Sequence, residues 1–150
     1  MPPEERTPLP TIVGTGLNQE RIDLAESRGR VVVLSVWGSW CVPCREEADD
    51  LERVHRETEA EGVTFIGLDT HDLDVDVSKR FVREHGVTFP SIFDPEGGLV
   101  RAFPPGTLNP QTLPATLLID RAGRIAVRLL RPVTDAELRS ALDPVVAEQP

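Results

Sequence analysis

The two cysteines of the chain, Cys41 and Cys44, are separated by two residues, and this spacing predicts redox chemistry. When oxidised, two sulfurs so placed can close a small ring as a disulfide. Because a thiolate is the nucleophile in disulfide exchange, one sulfur would attack a substrate disulfide and the other would resolve the mixed disulfide. An apolar run over residues 31–36 precedes the pair, and a charged segment with helical periodicity over residues 45–61 follows it. The cysteines are therefore predicted to lie where a buried strand ends and a helix begins.

Cys41 is the predicted nucleophile of this pair. A helix N-terminus carries unpaired backbone N–H groups and a partial positive charge, and both favour a thiolate over a thiol. Cys41, at the helix start, is predicted to be exposed and ionised, with Cys44 partly buried behind it as the resolving cysteine. Pro43 lacks an N–H and suits the first helical turn. Trp40 is predicted to offer an apolar wall to the incoming substrate.

The composition narrows the classes of function. A chain of 150 residues fits one domain that buries an ordinary core. Its formal net charge is −9, with 25 acidic and 16 basic residues, so nucleic acids and anionic membranes are not expected ligands. A single closely spaced cysteine pair indicates redox work rather than a structural framework of disulfides.

No metal or haem site is predicted, and the expected cofactor is none beyond the Cys41–Cys44 disulfide. The three histidines fall on separate predicted elements, which leaves a zinc site without enough ligands. The acidic loop over residues 69–76 lacks the central glycine and final glutamate of an EF-hand. Arg45, rather than a histidine, follows the second cysteine, and this excludes a covalent c-type haem.

Hydrophobic periodicity and turn residues predict alternating strands and helices behind a flexible tail over residues 1–8. Residues 9–16 and 19–24 are predicted to form an N-terminal hairpin. A buried strand, an amphipathic helix and a second buried strand follow over residues 31–68, an order that implies parallel strands and a right-handed crossover. The other predicted elements are a helix capped by Asp74 or Asp76 that stops at Gly86, a short strand over 91–93, a helical piece over 99–103, a proline-rich loop over 104–110, a hairpin over 115–130, and a last helix with a Thr134–Glu137 capping box that Pro144 interrupts.

The sequence Trp-Cys-Val-Pro-Cys at residues 40–44, placed after a hydrophobic strand, resembles the active site of the thioredoxin superfamily, in particular its TlpA/ResA/DsbE-like branch. Residues 65–69 together with 81–90 are similar to the insertion of that branch, and residues 113–120 resemble the segment that bears its cis-proline. The resemblance implies a thioredoxin-like three-layer α/β sandwich over residues 9–150. Its features would be a mixed central sheet, the N-terminal hairpin and a TlpA-type central insertion.

The resemblance also implies a substrate-binding role for Leu113 and Pro114. X–Pro bonds are cis in only about 5% of cases in folded proteins, so the sequence alone favours a trans bond. The superfamily, however, places a cis-proline opposite its nucleophile, and the Leu113–Pro114 bond takes that position here. The backbone of Leu113 would then pair with an extended substrate strand, and its side chain would add an apolar contact.

Removal of the Cys44 proton needs a base, for which the resemblance implies Asp72. Cytoplasmic thioredoxins carry an aspartate six residues before the first cysteine, but that position is Ser35 here and cannot act as a base. The ResA-like group has a carboxylate after the next strand, and Asp72 aligns with it. We expect burial near the sulfurs to raise the pKa of Asp72 so that it shuttles the proton. The alternative is a surface aspartate in an acidic loop.

The chain departs from the branch at two places near the motif. The branch often has Glu-x-Pro after the second cysteine, whereas residues 47–49 are Glu-Ala-Asp, which keeps the glutamate and loses the proline. The loop before Pro114 is also unusually rich in proline. Both differences affect the shape of the predicted binding groove, so the substrate is the feature that the resemblance predicts least.

The predicted function is that of a thiol-disulfide oxidoreductase acting on protein disulfides, most simply as the extracytoplasmic reductant used in cytochrome c maturation. The expected partners are protein thiols and disulfides such as apocytochrome c and a membrane thiol-disulfide electron donor, and the expected state is a monomer. Three alternatives stay open: an oxidant with the same chemistry, a peroxiredoxin-like peroxidase, and a non-catalytic interaction domain. The peroxidase is disfavoured because Gly38 replaces the usual threonine three residues before the nucleophile.

Residues 1–8 are charged and proline-rich, unlike an apolar signal core, and no apolar run is long enough to span a bilayer. By itself this pattern predicts a soluble protein. The resemblance implies an extracytoplasmic location, either periplasmic or at the cell surface. Members of the branch are often tethered to the membrane by an N-terminal helix, so the resemblance also implies that the full-length protein could be tethered.

Overall fold

A computed structural model describes residues 1–109 and 111–148. Pro110, at the end of the predicted proline-rich loop, and residues 149–150, at the end of the predicted domain, lie outside the described residues. In chain order the elements are β1 (Thr7–Pro8), β2 (Val13–Thr15), β3 (Arg21–Asp23), β4 (Val31–Trp37), α1 (Val42–Thr58), β5 (Val63–Thr70), α2 (Val75–Glu84), β6 (Ser91–Asp94), α3 (Gly98–Arg101), β7 (Ala115–Ile119), β8 (Arg124–Leu129) and α4 (Asp135–Val146).

A six-stranded mixed sheet runs in the order β1-β8-β7-β4-β5-β6. Strands β4, β5 and β6 are parallel, whereas β7 lies antiparallel to β4 and β8 antiparallel to β7. Every residue of β4 is buried, because this strand has neighbours on both sides and is covered on both faces. The predicted parallel pair and the hairpin of β7 with β8 are confirmed.

The sheet is the middle of three layers. One face packs against α1 and α4 through side chains that include Val33, Leu51 and Leu142. The other face packs against the β2–β3 hairpin and the α3 region, with Leu34 at its centre. The thioredoxin-like three-layer α/β sandwich predicted from the sequence is therefore the observed fold.

The helix boundaries follow local chemistry that the sequence displays. After α1, a short 3-10 turn ends at Gly62, whose φ of 86° lies in the left-handed region that glycine adopts readily. Of the two candidate caps for α2, Asp74 is the one that accepts a hydrogen bond from a backbone N–H. The capping box of Thr134 and Glu137 opens α4, but this helix continues through Pro144, so the predicted interruption is wrong.

None of the helices among residues 1–109 and 111–148 is long and apolar enough to span a bilayer.

The prediction of a flexible tail over residues 1–8 is wrong. Thr7 and Pro8 form β1 against β8 at the edge of the sheet. The buried guanidinium of Arg6 donates to Asp120 at 3.0 Å and to Glu148 at 2.8 Å, which joins the N-terminal segment to the β7–β8 turn and to the residues after α4. Sequence periodicity does not reveal this anchor, because it depends on two carboxylates more than a hundred residues away.

Replacing Arg6 with methionine should lower the free energy of unfolding by about 2–4 kcal/mol, because the change leaves the buried Asp120 without its main cationic partner. Urea denaturation of the oxidised protein measures the effect. Arg53→Met is the matched control, since Arg53 also bridges two carboxylates but at the surface, and we expect it to change little. Equal effects of the two substitutions would show that the Arg6 contacts do not anchor the segment.

Candidate active site

Cys41 and Cys44 form a disulfide at the point where the chain leaves β4 and enters α1. Their Cα atoms are 5.2 Å apart. Cys41 is the N-cap of α1, and its Sγ accepts a hydrogen bond from the Cys44 N–H at 3.2 Å. This N–H is one of those that a helix start leaves unpaired, so the bond would stabilise a thiolate at Cys41 in the reduced protein. Pro43 lies in the first turn, as predicted.

The predicted difference in exposure between the two cysteines is wrong for this oxidised state. Cys41 is 4% exposed and Cys44 is 3% exposed. The disulfide holds both sulfurs in a small apolar cluster with Trp37, Ala48 and Phe81, which excludes solvent from both. Position at the helix start, rather than exposure, therefore distinguishes Cys41 from Cys44.

An exposed apolar surface lies beside the buried disulfide. Trp40 is 46% exposed and Val42 is 56% exposed, and they flank Cys41 in the chain. The Trp40 indole is held in place because its Nε1 donates to the Thr70 carbonyl at 3.2 Å. In contrast, Trp37 is buried and stacks on Phe81 with 4.6 Å between ring centroids. Trp40 is thus the exposed tryptophan beside the disulfide, and its contact with a substrate stays a prediction.

The Leu113–Pro114 bond is cis, as the resemblance implies. Pro114 is buried immediately before β7, and Leu113 is partly buried against the cluster that contains both cysteines. The structure therefore brings residues 113–114 to the disulfide, more than sixty residues away in sequence.

Asp72 lies at the active site, but the predicted direction of its pKa is wrong. Its Oδ2 accepts from the Ser39 N–H at 2.8 Å, and its Oδ1 accepts from the Ser39 hydroxyl at 2.5 Å. Burial alone would raise the pKa of Asp72, but the neighbouring Asp69 carboxyl group and the hydrogen bonds from Ser39 lower it below the ordinary value. Asp72 is therefore a carboxylate that holds the loop before Cys41. Its role as a proton shuttle stays a prediction.

Asp69 is a second carboxyl group at this place that the sequence reasoning did not assign. It is the penultimate residue of β5, it is 0% exposed, and it lies against Asp72. Burial, the neighbouring Asp72 carboxyl group and the nearby acidic charges raise its pKa to about 9. The signal in the sequence is a carboxylate at the end of an otherwise apolar strand.

Glu47 is a third buried carboxyl group, and it lies on the Cys44 side of the disulfide. One turn after Cys44, it shares with that residue and Ser35 a cavity of about 20 Å³, close to the size of one water molecule. Its Oε2 accepts from the Val133 N–H at 2.9 Å. Burial raises the pKa of Glu47 to about 7, although the bond from Val133 opposes the shift.

Glu47 is thus the carboxyl group that the structure places near the resolving cysteine. The sequence signal was present, since the glutamate is retained where the proline of Glu-x-Pro is lost. Ser35 lies in the same cavity and carries no charge. Glu47 is therefore the ionisable side chain that lines this cavity together with Cys44.

The AhpC/TSA family matches residues 6–128, which is most of the chain. The chain belongs to the AhpC/TSA family. Among curated relatives, the thiol-disulfide oxidoreductase ResA of Bacillus thuringiensis strain Al Hakam is 31% identical over 133 residues, which are 89% of this chain and 73% of that protein.

Two solved structures from corynebacteria are similar to this member of the AhpC/TSA family throughout its length. A secreted thiol-disulfide isomerase from Corynebacterium glutamicum has a TM-score of 0.91 and 34% identity, and the match covers 99% of this chain and 90% of that one. A DsbF homologue from Corynebacterium diphtheriae has a TM-score of 0.88 and 34% identity, with 96% and 90% covered. Together with the disulfide at the start of α1, these relatives confirm that the protein is a thiol-disulfide oxidoreductase.

Replacing Glu47 with glutamine should change how the stability of this AhpC/TSA-family protein depends on pH. Between pH 4.5 and about 7 the folded protein keeps a proton on Glu47 that the unfolded chain has lost, so the wild-type protein loses stability as the pH rises. The Glu47→Gln variant does not lose stability in this way, because its amide does not ionise. The stability of the variant relative to wild type should therefore rise by about 3 kcal/mol across the window and stay constant above it.

Urea denaturation of the oxidised proteins at several pH values measures this difference, and the disulfide prevents the thiols from contributing. Glu46→Gln is the matched control, because Glu46 is its exposed neighbour in α1. A constant stability difference across the window would contradict the raised pKa of Glu47.

Proposed function

We propose that this protein is an extracytoplasmic reductant of disulfides in protein substrates, of the kind used in cytochrome c maturation. The observation that carries the proposal is the disulfide at the N-terminus of α1, flanked by an exposed apolar surface and backed by a buried carboxyl group of raised pKa. The relatives named ResA support the reaction, and the secreted relative supports the location. The proposed partners are apocytochrome c as substrate and a membrane thiol-disulfide protein as electron donor, with a monomer as the working state.

In the first step, the Cys41 thiolate attacks one sulfur of the substrate disulfide. A bond forms between Cys41 and that sulfur, the substrate S–S bond breaks, and the other substrate sulfur leaves as a thiolate that takes a proton. The Cys44 N–H, aimed at Cys41 Sγ, stabilises the negative charge before the attack.

In the second step, the Glu47 carboxylate takes the proton of Cys44, and the Cys44 thiolate attacks Cys41 Sγ. The internal disulfide forms, and the second substrate sulfur leaves and receives the proton from Glu47. Two electrons pass to the substrate, and a donor dithiol restores the reduced pair. With a pKa of about 7, Glu47 can both accept the proton from Cys44 and donate it to the substrate sulfur at neutral pH.

The surface around Cys41 suits an extended polypeptide rather than a small molecule. Trp40, Val42 and Leu113 offer apolar contacts on both sides of the disulfide. In the part of the chain that the structure describes, the backbone of Leu113 makes no hydrogen bond. It is therefore open to pairing with a substrate strand, in the manner of an added β-strand.

The same geometry serves an oxidant, because the direction of exchange depends on the potentials of the partners. The structure disfavours a peroxidase of the peroxiredoxin kind. A Cβ at Gly38 would collide with the Trp40 indole, so the threonine usual at this position does not fit here. A purely structural role for the disulfide is disfavoured, because such a role does not require Glu47, a buried carboxyl group with a pKa of about 7, beside Cys44.

A redox titration of the Cys41–Cys44 pair tests the proposed direction. Tryptophan fluorescence reports the state of the pair, since Trp37 packs in the same cluster as the disulfide. We expect a reversible two-electron transition near the thioredoxin value of about −270 mV. A potential near about −120 mV would make the protein a disulfide donor instead, and the absence of a reversible transition would return the pair to a structural role.

Two single substitutions accompany this titration. Cys41→Ser should be folded and inactive, whereas a structural disulfide would predict a loss of stability. Cys44→Ser should accumulate a mixed disulfide with the substrate, and its identification by mass spectrometry tests the proposed partner.

The pH dependence of exchange with a peptide disulfide tests which carboxyl group moves the proton. Because Glu47 lies near Cys44, Glu47→Gln should slow formation of the internal disulfide by roughly 10²-fold and remove the pH-dependent limb near pH 7. Asp72→Asn should leave that limb in place. If Asp72→Asn removed the limb and Glu47→Gln did not, Asp72 would be the shuttle first predicted from the sequence.

A further inference from the structure

Asp69 lies beside the strand that leads into the active-site loop. In the sheet it is opposite Trp37, the last residue of β4, and on its other side it is opposite Phe93 of β6. Its carboxyl group is completely buried. A charged group in such a place is costly unless it is paired. None of the salt bridges among the described residues involves Asp69, and no cationic group is among the causes of its pKa shift.

The loop before Cys41 is held at Ser39 from two sides. Asp72 accepts hydrogen bonds from the N–H and the hydroxyl of Ser39. On the other side, the Ser39 carbonyl accepts from Arg45 Nε at 3.1 Å and Nη2 at 2.9 Å. Because Ser39 is two residues before Cys41, the position of the reactive sulfur depends on these contacts.

Asp69 lies three residues before Asp72, and the two carboxyl groups are neighbours, since each perturbs the pKa of the other. Among the described residues, neither oxygen of Asp69 receives a hydrogen bond, and the neighbouring Ser78 hydroxyl also has no hydrogen-bond partner. Two buried carboxylates with no cation would repel each other, whereas one proton between them forms a strong hydrogen bond. The proton belongs on Asp69, since Asp72 already accepts two bonds from Ser39.

We propose that Asp69 is a positioning residue for the exchange reaction: it keeps its proton and donates it to Asp72, and this bond holds Ser39 and the loop that carries Cys41. Loss of the proton would place two like charges side by side and release the loop. The inference concerns Cys41 whichever direction the exchange runs, so it does not depend on the proposed reductant role.

The other charged groups around the pair do not replace this proton. Asp94, from β6, adds a like charge and holds the proton on Asp69 more tightly. Arg45 of α1 and Arg80 of α2 line the groove beside Asp72, and Arg45 is committed to Ser39. The pair should therefore change its protonation only in the alkaline range, because the pKa of Asp69 is raised to about 9.

The chain is well suited to a direct test in the oxidised state. The disulfide removes the thiol titrations, the sequence has no tyrosine, and Lys79 is its single lysine. Carbon-13 NMR of labelled aspartate carboxyls should show one resonance that titrates near pH 9. It should be absent from Asp69→Asn and present in Asp76→Asn, a matched change at an exposed position.

The rate at which a trialkylphosphine reduces the disulfide reports the release of the loop. In the wild-type protein, the rate should rise several-fold across the same titration, beyond the change seen with a small disulfide. Asp69→Asn should be folded with a flat profile, since its amide still donates to Asp72 and does not ionise. Ser39→Ala should keep the NMR titration and weaken the rise in rate, because it removes one link between Asp72 and the loop.

Two results would overturn the proposal. One is the absence of any aspartate resonance that titrates above neutral pH in the folded, oxidised protein. The other is a phosphine profile in Asp69→Asn that matches wild type, which would separate the protonation of Asp69 from the accessibility of Cys41.

Discussion

The hydrogen bond from the Cys44 N–H to Cys41 Sγ joins the backbone at the start of α1 to the reactive sulfur, and the rest of the site is arranged around it. The bond requires the chain to turn from strand to helix at residue 41. Strand β4 supplies the rigid side of that turn, because it is buried along its whole length between β5 and β7.

Three buried carboxyl groups surround this turn, and their environments give them different protonation states. Asp72 favours the ionised form because Ser39 donates two hydrogen bonds to it. Asp69 keeps its proton because it is fully buried among acidic neighbours. Glu47 lies between these extremes, since the Val133 N–H partly offsets the effect of burial. The same chemical group thus has a lowered pKa at Asp72, a strongly raised one at Asp69 and an intermediate one at Glu47, according to its surroundings.

Much of the fold could be predicted from the sequence because its signals are local. The largely apolar β4, the caps of α2 and α4 and the glycine after α1 each depend on a few adjacent residues. The tail over residues 1–8 could not be predicted in this way, because the ion pairs of Arg6 join segments far apart in sequence. The continuation of α4 through Pro144 is likewise a matter of tertiary packing on the sheet.

In the active site, too, the features that depend on neighbouring residues could be predicted from the sequence, and those that depend on tertiary contacts could not. Spacing and resemblance predict roles for Cys41, Cys44, Trp40 and the Leu113–Pro114 segment, since each belongs to a motif. The protonation of carboxyl groups depends instead on burial and on the donors that the fold brings to them. The sequence placed Asp72 at the site, but the Ser39 contacts that lower its pKa appear only when the loop after β4 meets the end of β5. The pairing of β4 with β5 also places Asp69 opposite Trp37, close to the Asp72 carboxylate that holds the loop before Cys41.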